Sequence, residues 1–577
     1  MGLRIQSIKT SLGAKLPLGN FNVLVGPNNS GKSQTLRDIR DYVASGATEQ
    51  LIILNEIDVQ LPTQKEGLKS FNVSPHPSPN HVTVRGVSYD LQSQHEFNIQ
   101  DNWIDERFSE IGNSQNVLQN KQQILQQLGK YWVAHLDADS RLRLANPTEC
   151  YDVRTEGPSN AMQAFFAGGE APLAELRSAF KNAFGIDVAL DWAAMKRWYL
   201  MSGSDFGAIP NDRVALGNLL KDARPIDKQG DGYRSFAGVV LAMLTFADRL
   251  LLLDEPDAFL HPAQARVLGH WLATHAKKIS AQVILATHNA DFLWGIVSAD
   301  ADAAVIRLNR SDNGTTYHSV PAATTKNLVE SPLLSSQPVL DSLFQKGVAV
   351  CEGDPDRAVY QTVAHRYVKK LGGEDVLFIH ANGKEALKNP VKMLCNAGTP
   401  VCAVVDLDVL NSEQVLREVL TALKAEAKIE EIVSLRGKIA ELVEKAPEAE
   451  LLAKLQTSVK DWTNSPYSDL REARKRLADI AQKASKWSSV KANGIDYFKE
   501  ADRGDVQRLI KLCSEAGLFI VPKGELENWM NVGFSKGKQW NRKALQELHD
   551  GKCPQELGEF VEALVKFLMT DTNVPLA

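Results

Sequence analysis

Residues 26–33 read GPNNSGKS, and residues 250–256 read LLLLDEP. The first matches G-x-x-x-x-G-K-[ST] in full, between an apolar run and a helical pattern. Glycines in such a turn let backbone N–H groups face inward around phosphates, and the start of the helix adds positive potential. Lys32 is placed to reach the β and γ phosphates of ATP, and Ser33 to bind Mg²⁺. Gly26, Asn28, Asn29, Ser30, Gly31 and Thr35 complete the expected nucleotide-binding set. Four leucines carry Asp254 to a sheet edge, where it can hold the metal, and Glu255 beside it has the chemistry of a base that activates water. His288 closes AQVILATH; read alone it is a core histidine.

The second half carries carboxylates at comparable places: CEGDPD at 351–356, VVDLD at 404–408 and KGELEN at 523–528. Glu352, Asp406 and Asp408 each follow an apolar run, so a parallel sheet would deliver all of them to one edge. Carboxylates gathered there repel one another unless cations sit among them, and oxygen-only ligands suit Mg²⁺ or Mn²⁺. Two such ions about 3.5–4 Å apart would clamp the attacking and leaving oxygens of a phosphodiester. Asp356, one helical turn after Glu352, and Glu525 and Glu527 from a later strand end are further candidate ligands. Lys523 is a candidate to stabilise the phosphate in flight. Any one of these acids could instead cap a helix, Asp354 and Asp356 in particular.

The elements that must position these groups read as an α/β chain. FNVLV (21–25) is a buried strand and 33–46 a helix. Residues 47–130 read as strands and loops followed by a Gln/Asn-rich helix (113–129). YWVAHLD (131–137) is a strand, with ADSRLRL after it as a loop, and 171–222 is mostly helical. An apolar helix (238–249) feeds LLLLD, and AQVILAT (281–287) is another strand. Polar, Ser/Thr/Pro-rich text at 310–340 places a boundary between domains over 1–320 and 340–577. Beyond it come strands at VAVCEG, VLFIHAN and VCAVVDLD, then a helical pair inserted at about 411–500, then the strand GLFIVPK (517–523).

At 577 residues the chain exceeds what one core sustains and calls for about two to four domains. Its net charge of −5 means that a nucleic-acid partner needs a local basic patch. Arg471, Arg474, Lys475, Arg476, Lys483, Lys486 and Lys491, with Trp487 among them, crowd one such stretch; a solvated helix face is the plainer reading. The six cysteines form no CxxC pair and read as reduced thiols of a cytoplasmic protein. No apolar stretch is long enough for a signal peptide or a membrane span.

The order of phosphate loop, DEP and strand-TH resembles the ABC-type ATPases, including SMC-like proteins. That resemblance implies that His288 contacts the γ-phosphate and that two subunits complete each other's ATP sites. The chain has no LSGGQ; KQGDGYRSFAG (228–238) stands where the signature sits, with Gly230, Gly232 and Ser235 as stand-ins and Arg234 as an additional phosphate ligand. CEGDPD, VVDLD and KGELEN resemble the TOPRIM domain. An ABC-type ATPase followed by TOPRIM resembles the OLD nucleases, which include subunits of anti-phage systems such as Gabija-type and retron-associated ones. DEPDAFLHP (254–262) departs from the family's pattern at Asp257 and Phe259, and Cys351 replaces its usual valine. The resemblance implies ATP-regulated, metal-dependent cleavage of DNA, with RNA left open, by a homodimer or higher oligomer, with room for a defence-system partner protein or RNA. The rival expectations are an SMC-like scaffold whose TOPRIM fold only binds a partner, and a topoisomerase-like strand passer, for whose tyrosine-bearing gate domain the chain has no room.

Overall fold

The computed structural model describes residues 2–570 except 68–69, 101, 103–105, 107–116, 155, 247, 280, 300–302, 331–338, 446–448, 468 and 484. The chain divides into two compact units, Met1–Ser331 and Pro332–Leu576.

The first unit is built on β1 (Phe21–Val25), α1 (Lys32–Ser45), β2 (Val133–Leu136), α2 (Ala138–Leu144), α3 (Asp231–Thr245), β3 (Leu250–Asp254), β4 (Val283–Ala286), β5 (Ala304–Ser311) and β6 (Gly314–Val320). Its central sheet runs β6-β5-β1-β4-β3-β2. All neighbours pair in parallel except β5 and β6, which form an antiparallel hairpin. β1 is buried at every residue, as befits a strand covered on both faces; its one polar residue, Asn22, donates to the Gly19 and Val283 oxygens. Leu36, Ile39 and Val43 of α1 pack on it together with Leu250, Leu252, Ile284 and Ile306 of the neighbouring strands. The parallel register puts the chain reversals after β1 and β3 at the same edge, so the phosphate loop and Asp254 meet there.

The sequence reading needs three corrections in this unit. Residues 138–144 are the helix α2 rather than a loop, started by a capping box in which Asp137 accepts from Ser140 N and Ser140 Oγ accepts from Asp137 N. The span 171–222 holds helices Glu170–Phe184 and Arg213–Leu220, but strands Asp187–Asp191 and Arg197–Gly203 pair between them. Leu200 and Met201 pack there as sheet residues, and tertiary pairing overrides local propensity. Residues 311–320 belong to the hairpin at the sheet edge rather than to a linker. Of the Gln/Asn-rich helix, Val117–Leu128 is helical and 113–116 lie outside the described residues.

The second unit carries a parallel sheet of β7 (Gly347–Cys351), β8 (Val376–His380), β9 (Val401–Val405) and β10 (Leu518–Ile520), ordered β8-β7-β9-β10. Helix α4 (Asp354–Tyr367) follows β7 and buries Val359, Tyr360 and Val363 against the sheet and the C-terminal helices. Between β9 and β10 the expected helical pair is in fact a longer run: Glu413–Ala422, Glu426–Glu444, Ala449–Asn464, Leu470–Lys483, α5 (Lys486–Asn493) and Glu500–Glu515. The apolar spacing over 429–443 marks one of these helices clearly. Leu470–Lys483 after Pro447 is dominated by charged and polar residues, so its few apolar positions do not mark it as a separate element.

Candidate nucleotide and metal sites

In the first unit the loop after β1 wraps a cleft of about 470 Å³ lined by Asn28, Asn29, Ser30, Gly31, Lys32 and Ser33, with Glu255 opposite. The loop's tight path is visible at Gly26 (φ 144) and Gly31 (φ 101). A Cβ on Gly26 would lie 2.5 Å from the Leu308 carbonyl oxygen, so the position admits no side chain. Lys32 Nζ donates to the Gly26 and Pro27 oxygens at 2.8 and 2.9 Å, and burial lowers its pKa against the opposing pull of Glu255. Ser33 Oγ donates to Asp254 Oδ1 at 2.8 Å, and burial raises the Asp254 pKa.

Glu255 Oε1 accepts from His288 Nδ1 at 2.9 Å. That bond lowers the glutamate's pKa and raises the histidine's. His288 does not itself line the cleft and meets it only through Glu255. Glu255 has φ 49, a left-handed backbone that costs a non-glycine residue about 1–2 kcal/mol. Cations that the sequence reading missed surround the cleft. Arg37, one turn along α1 from Ser33, and Arg310, whose Nη1 donates to Asn29 O at 3.4 Å, both line it. The spacing from Ser33 could have flagged Arg37; Arg310 comes from the far end of β5 and had no local signal.

Two expected nucleotide residues are placed elsewhere. Thr35 is fully buried, donates to Gly31 O and shares a 2.7 Å bond with Tyr317 Oη, because one helical step turns it to the core. Ser235 is also fully buried and accepts from Arg141. Because α3 already begins at Asp231, Ser235 faces inward and is not offered to a second subunit. Gly232 lies with its backbone against Phe259 O. Arg234 is tied within its own unit, to Asp231 and to Leu142 O.

In the second unit Glu352, Asp406 and Asp408 leave the ends of β7 and β9 with ligand oxygens all within 4.8 Å of one another. Glu352 Oε2 and Asp408 Oδ1 are buried without a hydrogen-bond partner. Burial raises the Glu352 pKa and pushes Asp406 up to about 8. Buried oxygens left unsatisfied among mutually repelling acids fit a hard divalent cation. Asp356 is outside the trio; burial, with Glu352 next, pushes it up to about 7, and its Oδ2 accepts from Gly353 N at 3.1 Å.

Glu525 is buried and paired with Lys536 at 2.5 Å, and Glu527 reaches the group only as a charge felt by Asp356. Lys523 is corrected: its Nζ lies 2.8 Å from Glu556, since the turn after β10 points it to the C-terminal helix. The ammonium groups at the trio belong instead to Lys384 and Lys491. Lys384 Nζ lies 2.8 Å from Asp408 Oδ2, and Lys491 Nζ lies 2.7 Å from Asp406 Oδ2 and 3.8 Å from Asp408 Oδ1. Burial opposes the Lys491 charge, but Asp406 and Asp408 outweigh it and hold its pKa above the ordinary value. Lys384 opens the short 3-10 turn Lys384–Ala386, four residues past the end of β8.

Lys491 arrives from α5, and the fit there is close. A Cβ on Gly524 would lie 2.0 Å from Lys491 O, and Asn528 Nδ2 donates to the oxygens of Lys491, Ala492 and Lys523. Of the basic stretch, Arg471, Arg474, Lys475 and Arg476 are exposed on Leu470–Lys483. Lys486 donates to Glu444 O and Trp487 is buried. The Lys483 side chain lies outside the described residues.

Residues 162–293 match the family model described as AAA domain, putative AbiEii toxin, Type IV TA system. Residues 343–408 match that of the Overcoming lysogenization defect protein-like TOPRIM domain. No curated protein matches the chain. Among solved structures the chain is similar to the SMC head domain from Thermotoga maritima (14% identity, 56% of this chain and 100% of that one, TM-score 0.29). It is also similar to the Smc head domain bound to the C-terminal domain of ScpA derived from Pyrococcus furiosus (11% identity, 57% and 99%, TM-score 0.30). Among the described residues no helix is long and apolar enough to cross a membrane.

Proposed function

We propose that this chain, which joins an AAA-type ATPase domain to an OLD-like TOPRIM domain and so matches the OLD-family ATPase–nucleases, hydrolyses DNA phosphodiesters with a divalent metal, under control of its nucleotide state. The observation that carries this reading is the convergence of Glu352, Asp406 and Asp408 within 4.8 Å, with two buried oxygens in need of a partner. Those three residues would hold Mg²⁺ or Mn²⁺, and Asp356 would sit behind them. When bound, the ion supplies Lewis-acid activation of water and of the phosphate. Lys384 and Lys491 stand where a phosphate's charge would be met, and Glu352 and Asp406 hold or release protons as their neighbours change.

At the other site Lys32, Ser33, Arg37 and Arg310 would bind the triphosphate, and Glu255, oriented by His288, would take the proton of the attacking water. A role in anti-phage defence and assembly as a homodimer belong to the same reading and draw on the family pairing alone.

The test is nicking of supercoiled plasmid with Mg²⁺ or Mn²⁺. The wild type is expected to nick, and Asp406→Ala to lose at least about a hundredfold in rate. Nicking that survives Asp406→Ala would refute the site. The second reading, a scaffold whose TOPRIM fold only binds a partner, draws on Lys384 and Lys491, which already neutralise much of the acidic cluster. Absence of cleavage of DNA and of RNA with either ion favours it.

A further inference from the structure

Arg141 is fully buried, and nothing assigned so far uses it. Its guanidinium donates Nε to Ser235 Oγ at 3.1 Å, Nη1 to Leu136 O at 3.5 Å and to Asp254 O, and Nη2 to Glu255 O at 2.8 Å. One rigid fork therefore spans two consecutive carbonyls of the turn that bears both acids. Burial lowers its pKa, while Asp257, Asp254, Asp137 and Glu255 around it favour the charged form.

Fixing two successive carbonyls fixes two peptide planes, and so the directions in which the side chains leave them. Glu255 depends on this most, because its backbone is left-handed and such a conformation persists only where the surroundings over-determine it. The other backbone bonds at Glu255 are its N–H on Ala286 O and its carbonyl accepting from Ala258 N, and its side chain is held by His288. Arg141 is itself held firmly. Its helix is capped by Asp137, and a Cβ on Gly238 of α3 would lie 2.2 Å from Arg141 O, so α2 and α3 are in backbone contact. Arg141 does not line the nucleotide cleft.

We propose that Arg141 is the positioning residue of the hydrolytic turn: it holds Glu255 with its carboxylate toward His288 and the cleft, and ties that turn to α3 through Ser235. The inference rests on the ATP-hydrolysis half of the proposed function. It requires that Arg141 substitutions impair turnover and spare nucleotide binding.

The experiment measures steady-state ATP hydrolysis and binding of a fluorescent ATP analogue by the full chain. Arg141→Gln is expected to lower kcat about 10- to 100-fold, with KM and the analogue's Kd within about threefold of wild type. Arg141→Lys is not expected to rescue, because a point charge cannot span both carbonyls. In a Glu255→Gln background, Arg141→Gln is expected to cost nothing further, since the arginine acts through the residue already removed.

A kcat for Arg141→Gln within about twofold of wild type, or a full additional loss in the Glu255→Gln background, overturns the proposal. Should Arg141→Gln fail to fold, Ser235→Ala decides instead. It is expected to lower kcat about threefold with binding unchanged, and an unchanged kcat counts against the proposal. If the wild type hydrolyses ATP and Glu255→Gln does not, an active Arg141→Gln defeats this inference alone. A wild type without ATP turnover defeats the underlying reading.

Discussion

The acidic trio and its two lysines form one electrostatic unit, and the pair between Lys491 and Asp406 at 2.7 Å is its closest contact. Lys491 competes with any divalent cation for the same oxygens. Lys491→Met is therefore expected to tighten Mn²⁺ binding by about tenfold and to lower the melting temperature of the metal-free protein, because three carboxylates lose a counter-charge. Calorimetric titration with Mn²⁺ and thermal melts with and without the ion measure both effects. Equal affinities in the two proteins would exclude the competition. Glu352, Asp406 and Asp408 were legible because each ends an apolar run and a parallel sheet aligns such ends. Lys491 was legible only as one cation in a basic stretch, and its direction depends on Gly524 and Asn528, residues some thirty positions away that no local pattern connects to it.

At the scale of elements, β2 carries a buried titratable group. His135 is 6% exposed, and burial, aided by the charge of Arg40, lowers its pKa to about 4. The folded protein thus keeps His135 neutral while the unfolded chain protonates it near its ordinary value of 6.5. The contribution to stability is complete above pH 6.5 and erodes as pH falls toward 4, by a total of about 3 kcal/mol. Urea unfolding across that range is expected to show this loss in the wild type and a flatter profile in His135→Leu. A wild-type midpoint that does not move between these pH values would contradict it. The neighbouring α2 escaped the sequence reading because ADSRLRL is too short for a helical period to emerge. The Asp137/Ser140 capping box was the available sign, and with the helix unseen, Arg141 had no place in the site. The strands at 187–191 and 197–203 were hidden for another reason: they form a short local hairpin with each other, and a hairpin of five paired positions leaves little alternation to read among the helices on either side.

For the whole molecule, the net charge of −5 leaves no general attraction for nucleic acid. Any DNA affinity has to arise from local cations, and Arg471, Arg474, Lys475 and Arg476 stand exposed on one helix. If that face tracks phosphates, replacing Arg471, Arg474 and Lys475 with alanine lowers the slope of log affinity against log salt by up to about 3, without altering ATP hydrolysis. Binding isotherms at several salt concentrations read this directly; an unchanged slope assigns the helix to solvent. The gross plan, an ATPase unit followed by an acidic α/β unit, was readable because both sets of motifs sit at strand ends. The run of helices between β9 and β10 was underestimated because members such as Leu470–Lys483 are mostly charged or polar and offer few apolar positions to read.

That run is where insertions are usually regarded as decoration, to be trimmed when a smaller enzyme is wanted. Here trimming has an electrical consequence. Lys491 is carried on its penultimate helix yet neutralises Asp406, 85 positions earlier in the chain and ahead of the run. A version pared of residues 411–500 keeps every acid and forfeits one of the two ammonium groups beside them. It would be a differently charged pocket on a similar sheet, with its own appetite for cations.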